Sequence, residues 1–339
     1  VTLRSTPVPH PNRRQAAGLL GAALLAGAGS ARAQAAWQPG ERITYLIGVA
    51  PGGTVDLYAR GIRDQLEALK LVNGQSVLAE NRVGAGGAIA LQALAQHAGN
   101  GHWLGTFHTG AIAGAVTGLI KADVRQFPPV AMLVEETSVV AVRADSALRS
   151  AGDLVSALRA NPGSLRIAVA PALGQNTHLA IAKPLKAAGV AIDRLTIAPF
   201  RSSGESMTAL MGGHVDVVSA TAPVVVPQVQ AGRVRMLASA AAERGTGPLA
   251  ELRTWREQGV AADYVSYNGV MLAPRATPEQ QRFWEAALRR VAQSPEWTAL
   301  VEKSGNKAIF RGRDESLAYF EAEWKATTEL ATELGLAAK

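Results

Sequence analysis

Pro51-Gly52-Gly53-Thr54 stands between an apolar run, Ile43 to Val49, and a helix-like stretch from Val55 to Leu71. A strand, a tight glycine turn and a helix N-terminus should therefore follow one another. Such a junction suits an anion: the first turn of a helix carries backbone N–H groups with no intrahelical acceptor, and the helix dipole adds to the attraction. Gly52 and Gly53 leave the main chain open to close approach. Thr54 also suits an N-cap, which would make the segment a well-terminated turn with no ligand at all.

Three further turns have the same form. They are Phe107-His108-Thr109-Gly110-Ala111, Ala170 to His178 (containing Gln175-Asn176-Thr177), and Phe200-Arg201-Ser202-Ser203-Gly204-Glu205. In open α/β sheets, ligands collect beyond the carboxyl ends of strands, where these turns would lie. Four such turns in one chain suggest a cleft, although Ser202 or Ser203 followed by Glu205 serves equally well as helix capping. Signatures of catalysis are scarce. No G-x-S-x-G elbow surrounds a serine, no Walker-type loop ends in Lys-Ser or Lys-Thr, and Gly84-Ala85-Gly86-Gly87 lacks the third glycine of the dinucleotide fingerprint. His97, His102 and His108 fit no zinc spacing, and His178 and His214 stand alone, so no metal and no cofactor is expected.

The elements that would position these turns alternate along the chain. Short apolar runs (Ile43 to Val49, Trp103 to Phe107, Val139 to Val142, Leu165 to Val169, Leu195 to Ala198, Val215 to Val218, Val234 to Ala238, Val270 to Ala273) are separated by helix-like stretches. That alternation predicts an α/β fold with mainly parallel sheets. Residues 278 to 293 place Phe283, Trp284, Ala287, Leu288 and Val291 on one stripe, and residues 314 to 334 do the same with Leu317, Tyr319, Phe320 and Trp324. Residues 1–33 read as an export signal: Arg13-Arg14 precede a small-residue apolar stretch, and Ala31-Arg32-Ala33 fits cleavage after Ala33. Its four arginines and lack of acids leave +3 of the formal +7 on the remaining chain. With aromatics at 5%, that charge makes no nucleic-acid surface. The chain has no cysteine, which excludes thiol chemistry and disulfides.

From Arg42 to Leu336 the sequence resembles the periplasmic solute-binding receptors of tripartite tricarboxylate transporters, the TctC or "Bug" receptors. The likeness rests on Pro51-Gly52-Gly53-Thr54-Val55-Asp56, Glu80-Asn81-Arg82-Val83-Gly84-Ala85-Gly86-Gly87, Gly212-Gly213-His214-Val215-Asp216, Ala231-Gly232-Arg233-Val234-Arg235, and Ala273-Pro274 with Thr277-Pro278. It implies a two-lobed periplasmic-binding-protein (Venus flytrap) fold, each lobe a mixed, mainly parallel sheet flanked by helices, with two crossovers. Residues 34–140 and 266–339 would form domain 1, and residues 141–265 domain 2. A small carboxylate (tricarboxylate, dicarboxylate or aromatic acid) would sit in the interlobe cleft. Carried over by motif, the contacts are Gly52, Gly53, Thr54, Asp56, His108, Thr109 and Gly110 from the first lobe. Gln175, Asn176, Thr177, His178, Ser202 and Ser203 come from the second.

Two positions depart from the family pattern: Tyr267-Asn268 stands where many relatives have Trp followed by Tyr or Arg, and His108-Thr109 replaces a small pair. Asp56 reads as the organiser of its turn, with contact to a ligand ammonium group as the alternative; Arg201 reads as a rim charge or as a partner for a second ligand carboxylate. The expected protein is a periplasmic monomer that breaks no bond and delivers its ligand to integral membrane subunits. Two other classes share these residues. One is a clamp reporting ligand to a membrane kinase, and the other is an exported hydrolase or isomerase using His178 near Ser202.

Overall fold

A computed structural model describes residues 37–127 and 129–338. The expected export segment, residues 1–33, lies outside the described residues. The chain first forms β1 (Ile43–Ile47), α1 (Thr54–Ala68), β2 (Val77–Asn81), α2 (Ala88–Ala95), β3 (Trp103–His108), α3 (Thr109–Val116) and β4 (Pro129–Glu136). It continues through β5 (Ser138–Arg143), α4 (Ala151–Ala160), β6 (Arg166–Val169), α5 (Asn176–Ala187), β7 (Thr196–Pro199), α6 (Ser203–Met211), β8 (Val217–Thr221), α7 (Ala222–Gln230) and β9 (Val234–Ser239). It closes with β10 (Ser266–Leu272), α8 (Pro278–Ala292), α9 (Pro295–Lys303), β11 (Lys307–Arg311) and α10 (Arg313–Glu333).

The strands form two sheets, one per lobe, ordered β11-β4-β10-β3-β1-β2 and β7-β6-β8-β5-β9. Both are mixed. In the first, β1, β2, β3 and β4 run one way, with β10 and β11 antiparallel to them. In the second, only β5 opposes its neighbours. Most strands in each lobe thus point in one direction, but a strand that has just crossed between lobes, β5 or β10, is inserted against that direction.

Packing follows the side-chain alternation of the strands. Val140 and Val142 join a cluster with Leu154, Ile167 and Leu185, whereas Val139 and Ala141 join Val218, Leu210 and Leu249 on the opposite face. Both faces of the second sheet are therefore buried. In the first lobe Leu46, Phe107, Met132, Met271 and Phe320 form a core under α3 and α10. Helix α8 begins with Thr277 as N-cap, its hydroxyl accepting from Gln280 N–H, and Pro278 in the first turn. Of the stripe expected from spacing it buries Trp284, Ala287, Leu288 and Val291, while Phe283 is half-buried, and the Trp284 indole donates to the Gly101 carbonyl at 2.8 Å.

The first crossing between lobes occupies one residue. Glu136 ends β4 and Ser138 begins β5, so the boundary expected at residue 140 falls inside β5, three residues late. The N–H of Thr137 donates to Asn306 Oδ1 of the first lobe at 3.0 Å, and its carbonyl accepts from the N–H of Ala222, which opens α7 of the second, at 2.9 Å. Asn306 Nδ2 in turn donates to the Tyr58 hydroxyl of α1 at 2.6 Å. The return crossing runs alongside, with the N–H of Ala240 on the Ser138 carbonyl at 2.9 Å and the N–H of Tyr264 on the Ala240 carbonyl at 2.8 Å. Asn306 and Thr137 are both buried. Asn306→Ala leaves the Thr137 N–H without an acceptor and should lower stability by about 1–3 kcal/mol, read as a shift in the urea unfolding midpoint.

Candidate functional site

The turn after β1 is built from within. Gly53, in extended backbone (φ −78°, ψ 167°), is the N-cap of α1 and provides no side-chain cap, so Thr54 is the first helical residue and not the cap its hydroxyl suggested. The chain enters the turn through Gly52, whose φ of 83° favours glycine. The Gly52 N–H points back into the protein, donating to Asp56 Oδ2 at 2.9 Å. Asp56 also accepts from Arg60 Nε at 3.1 Å and from Asn81 Nδ2 at 2.8 Å, and Asn81 Nδ2 reaches the Val49 carbonyl at 2.9 Å. Burial raises the Asp56 pKa, but the bonds from Arg60, Gly52 and Asn81, with the Arg60 charge, outweigh it and hold the carboxyl below its ordinary value. Asp56 is thus the organiser of the turn. The first helical bond is Leu57 N–H to the Gly53 carbonyl at 2.9 Å, which leaves the N–H groups of Thr54 and its successors at the open end of α1. Gly52 and Gly53 are exposed there.

Two more of the predicted turns meet across the lobes. α3 follows β3 in the first lobe, α5 follows β6 in the second, and the first residue of α5, Asn176, lies beside the first turn of α3. A Cβ on Gly110 would stand 3.5 Å from Asn176 Nδ2 and 2.9 Å from His108 Nδ1. With the Gln175 amide assigned the orientation that satisfies both neighbours, its nitrogen donates to the Gly110 carbonyl at 3.2 Å and its oxygen accepts from the Gly114 N–H at 3.1 Å, joining one lobe to the other. Asn176 Oδ1 accepts from the Tyr264 hydroxyl at 3.1 Å. His108 also lines a small, largely apolar cavity of about 20 Å³ with Gly48, Gly86, Gly87 and Thr106, room for about one water. Burial pushes its imidazole down to about 4, so the ring is neutral near pH 7.

Several predicted side chains are occupied by the protein itself. The buried Thr109 hydroxyl accepts from the Tyr267 N–H at 2.8 Å and lies 2.9 Å from the Tyr319 hydroxyl. Thr177 Oγ1 donates to the Ala170 carbonyl at 2.7 Å and accepts from the Ala170 N–H at 2.8 Å. His178 Nδ1 accepts from the Gly174 N–H at 2.8 Å, which places the proton of the neutral ring on Nε2, a buried atom with no hydrogen-bond partner among the described residues. Burial moves this imidazole down to about 4 as well. Ser202 is the N-cap of α6, its hydroxyl accepting from the Glu205 N–H at 3.2 Å, and Ser203 offers its carbonyl to the Ser206 hydroxyl at 2.9 Å. Among the described residues no hydrogen bond joins His178 to Ser202, and Arg201 is paired with Glu205 at 2.8 Å.

Two buried polar residues that carry no local sequence signal stand on the strands next to these turns. Asn268 of β10 is opposite His108 of β3 in the register, and Ser266 is opposite Glu136 of β4. Glu136 is 7% exposed and Asn268 3%. Burial pushes the Glu136 carboxyl up to about 7, the nearby Asn268 amide offsetting part of the effect, and no Lys or Arg contributes. Yet among the described residues neither amide atom of Asn268 closes a hydrogen bond of good geometry. The only hint in the sequence was the departure of Tyr267-Asn268 from its family pattern.

The chain matches the tripartite tricarboxylate transporter family receptor (TctC) over residues 59–336. It belongs to that family. At 31% identity over 327 residues, 94% of each chain, it is similar to the UPF0065 protein in the tcbD-tcbE intergenic region of Pseudomonas sp. (strain P51). Among solved structures it is similar to an R. palustris protein with adipate (26% identity, TM-score 0.75, covering 88% of this chain and 99% of that one). It is also similar to MatC from Rhodopseudomonas palustris with bound malate (26% identity, TM-score 0.70, covering 86% and 99%). The family is one of periplasmic solute-binding receptors, and among the described residues no helix is long and apolar enough to cross a membrane.

Two pH effects follow from these carboxyls. Because the folded pKa of Asp56 is depressed, its contribution is present above the unfolded value of 3.8 and is lost as pH falls through the folded one. Asp56→Asn should therefore cost about 2 kcal/mol at pH 7 and less in acid, checked by thermal melts across that range. Glu136 has the opposite sign: between 4.5 and about 7 the folded receptor holds a proton that the unfolded chain has released. Stability should fall through that window by on the order of 3 kcal/mol and then level off, and Glu136→Gln should flatten the fall.

Proposed function

We propose that this receptor captures a small carboxylate in the periplasm, between its two lobes, and presents it to the integral membrane subunits of a tripartite tricarboxylate transporter without making or breaking a bond. The observation that carries this reading is the meeting of α3 and α5 by their N-termini, with Gly110 beside Asn176 and Gln175 spanning the gap. The neighbouring cations are already paired, Arg60 with Asp56 and Arg201 with Glu205. An anion entering here meets peptide N–H groups and helix dipoles in place of a free guanidinium. On this reading the ligand contacts are the main chain at Gly53, Thr54 and Gly110, the ring of His108, and Asn176. Gln175, Thr177 and His178 hold the second-lobe turn in shape, and Ser202 and Ser203 stand at the rim.

Specificity arises through closure. A ligand touching both lobes stabilises the shut form over the open one by its differential contacts, and the membrane subunits would recognise that form. Malate and adipate, carried by two similar proteins, are the first probes. Either acid at a hundredfold its Kd should add about 2.7 kcal/mol to native-state stability, a rise of a few degrees in melting temperature.

Gly53→Val separates binding from folding. A Cβ at Gly53 has room, its nearest neighbour being the Ala50 carbonyl oxygen at 3.6 Å, and the backbone there suits any residue. The variant should keep the unliganded melting temperature and lose affinity by more than about a hundredfold, because the branched side chain fills the space in front of the α1 amides. Calorimetry giving unchanged affinity would reject this turn as part of the site.

A further inference from the structure

Resting on that reading, we infer that Glu136 and Asn268 form a second recognition point at the floor of the cleft, which takes a further oxygen of the bound acid, and that capture is accompanied by protonation of Glu136. Both residues belong to the first lobe but stand where the lobes join. Glu136 is immediately before the crossing residue Thr137, and Asn268 is in register with His108, whose ring adjoins Gly110 and, through it, Asn176 of the second lobe. Tyr264, whose hydroxyl bonds Asn176, and Tyr58 of α1 both sense the Glu136 charge.

Asn268 carries the argument. A primary amide offers two donors and two acceptor sites, and although the Asn268 amide is near enough to Glu136 to lower its carboxyl pKa, among the described residues neither of its polar atoms closes a bond of good geometry, which is costly for a buried group. Such a group is retained where something other than the resting protein satisfies it. Glu136 beside it has no compensating cation. The charged groups on the flanking elements are directed elsewhere: Lys307 of β11 lies opposite Glu135, Arg311 covers Tyr267, Arg289 of α8 pairs with Glu285, and Glu323 of α10 bonds Thr327. His108 is neutral, and α7, which meets Thr137, contains no ionisable side chain.

An anionic ligand brought against an ionised Glu136 would be repelled. A proton taken from solvent by the Glu136 carboxylate removes that charge and turns the group into a donor, so that Glu136 O–H and Asn268 Nδ2–H can both serve one ligand oxygen. The ligand class is then an acid with a second oxygen function, a hydroxyl or a distal carboxylate, more than a plain fatty acid.

The test is calorimetry of malate and adipate in two buffers of different ionisation enthalpy, at pH 6 and pH 8. The unaltered receptor should take up close to one proton per ligand at pH 8 and about a tenth of one at pH 6. Glu136→Gln, a permanent mimic of the neutral acid, should bind with affinity within about threefold of the unaltered receptor at pH 6 and take up none, which also measures the acids' own protons. Asn268→Ala should weaken malate and adipate by about tenfold or more and leave hexanoate unchanged. Binding without proton uptake, the same uptake in Glu136→Gln, or loss of binding in that variant would each overturn this inference while leaving the receptor reading intact. Failure of both acids to bind the unaltered protein and the Gln variant would overturn the receptor reading itself.

Discussion

One peptide group sets the geometry of this molecule. At Thr137 the chain passes between lobes with a single residue between strands, and its N–H and carbonyl are tied in opposite directions, to Asn306 of the first lobe and to Ala222 of the second. Two hydrogen bonds thus leave neither buried backbone group of the crossing residue unpaired and tie both lobes to it. The antiparallel entries of β5 and β10 follow from the same point, because each strand leaves one sheet and must start the next from the crossing side. Of the candidate ligand turns, those after β3 and β6 are in contact across the lobes, Gly110 beside Asn176.

Around that joint the protein handles charge sparingly. Asp56 is ionised but fully engaged by Gly52, Arg60 and Asn81, and its role is to shape the turn whose outward amides stay open. Two histidines are neutral by burial, and one carboxyl is held partly protonated by the same cause. On the proposed reading, negative charge would be recognised through dipoles that are already oriented, which spares the desolvation of a buried cation.

Much of this was legible in the sequence for local reasons. The four strand-turn-helix units showed themselves because an apolar run, a glycine or hydroxyl turn and a helical period occur within about twenty residues of each other. β2 and β11 were missed: Val77–Asn81 and Lys307–Arg311 are outer strands whose mixed side chains give no clean alternation. β4 escaped because Thr137 alone separates it from β5, so no turn signal divides the two runs. The hydroxyls of Thr109 and Thr177 looked available in sequence, yet packing from Tyr267, Tyr319 and Ala170 occupies them. Glu136 and Asn268 gave no local signal, because their burial depends on a strand pairing that spans more than a hundred residues.

The position of β10 bears on how the molecule must assemble. Ser266–Leu272 fills the middle of the first sheet, between β3 and β4, whereas every strand of the second sheet lies within one continuous stretch, from Ser138 to Ser239. As the polypeptide lengthens during synthesis, the later-encoded lobe has all its strands while the earlier one still lacks its central one. The N-terminal third must therefore wait, with an unpaired edge at β3, until some 160 residues more have emerged, a vectorial delay written into the topology.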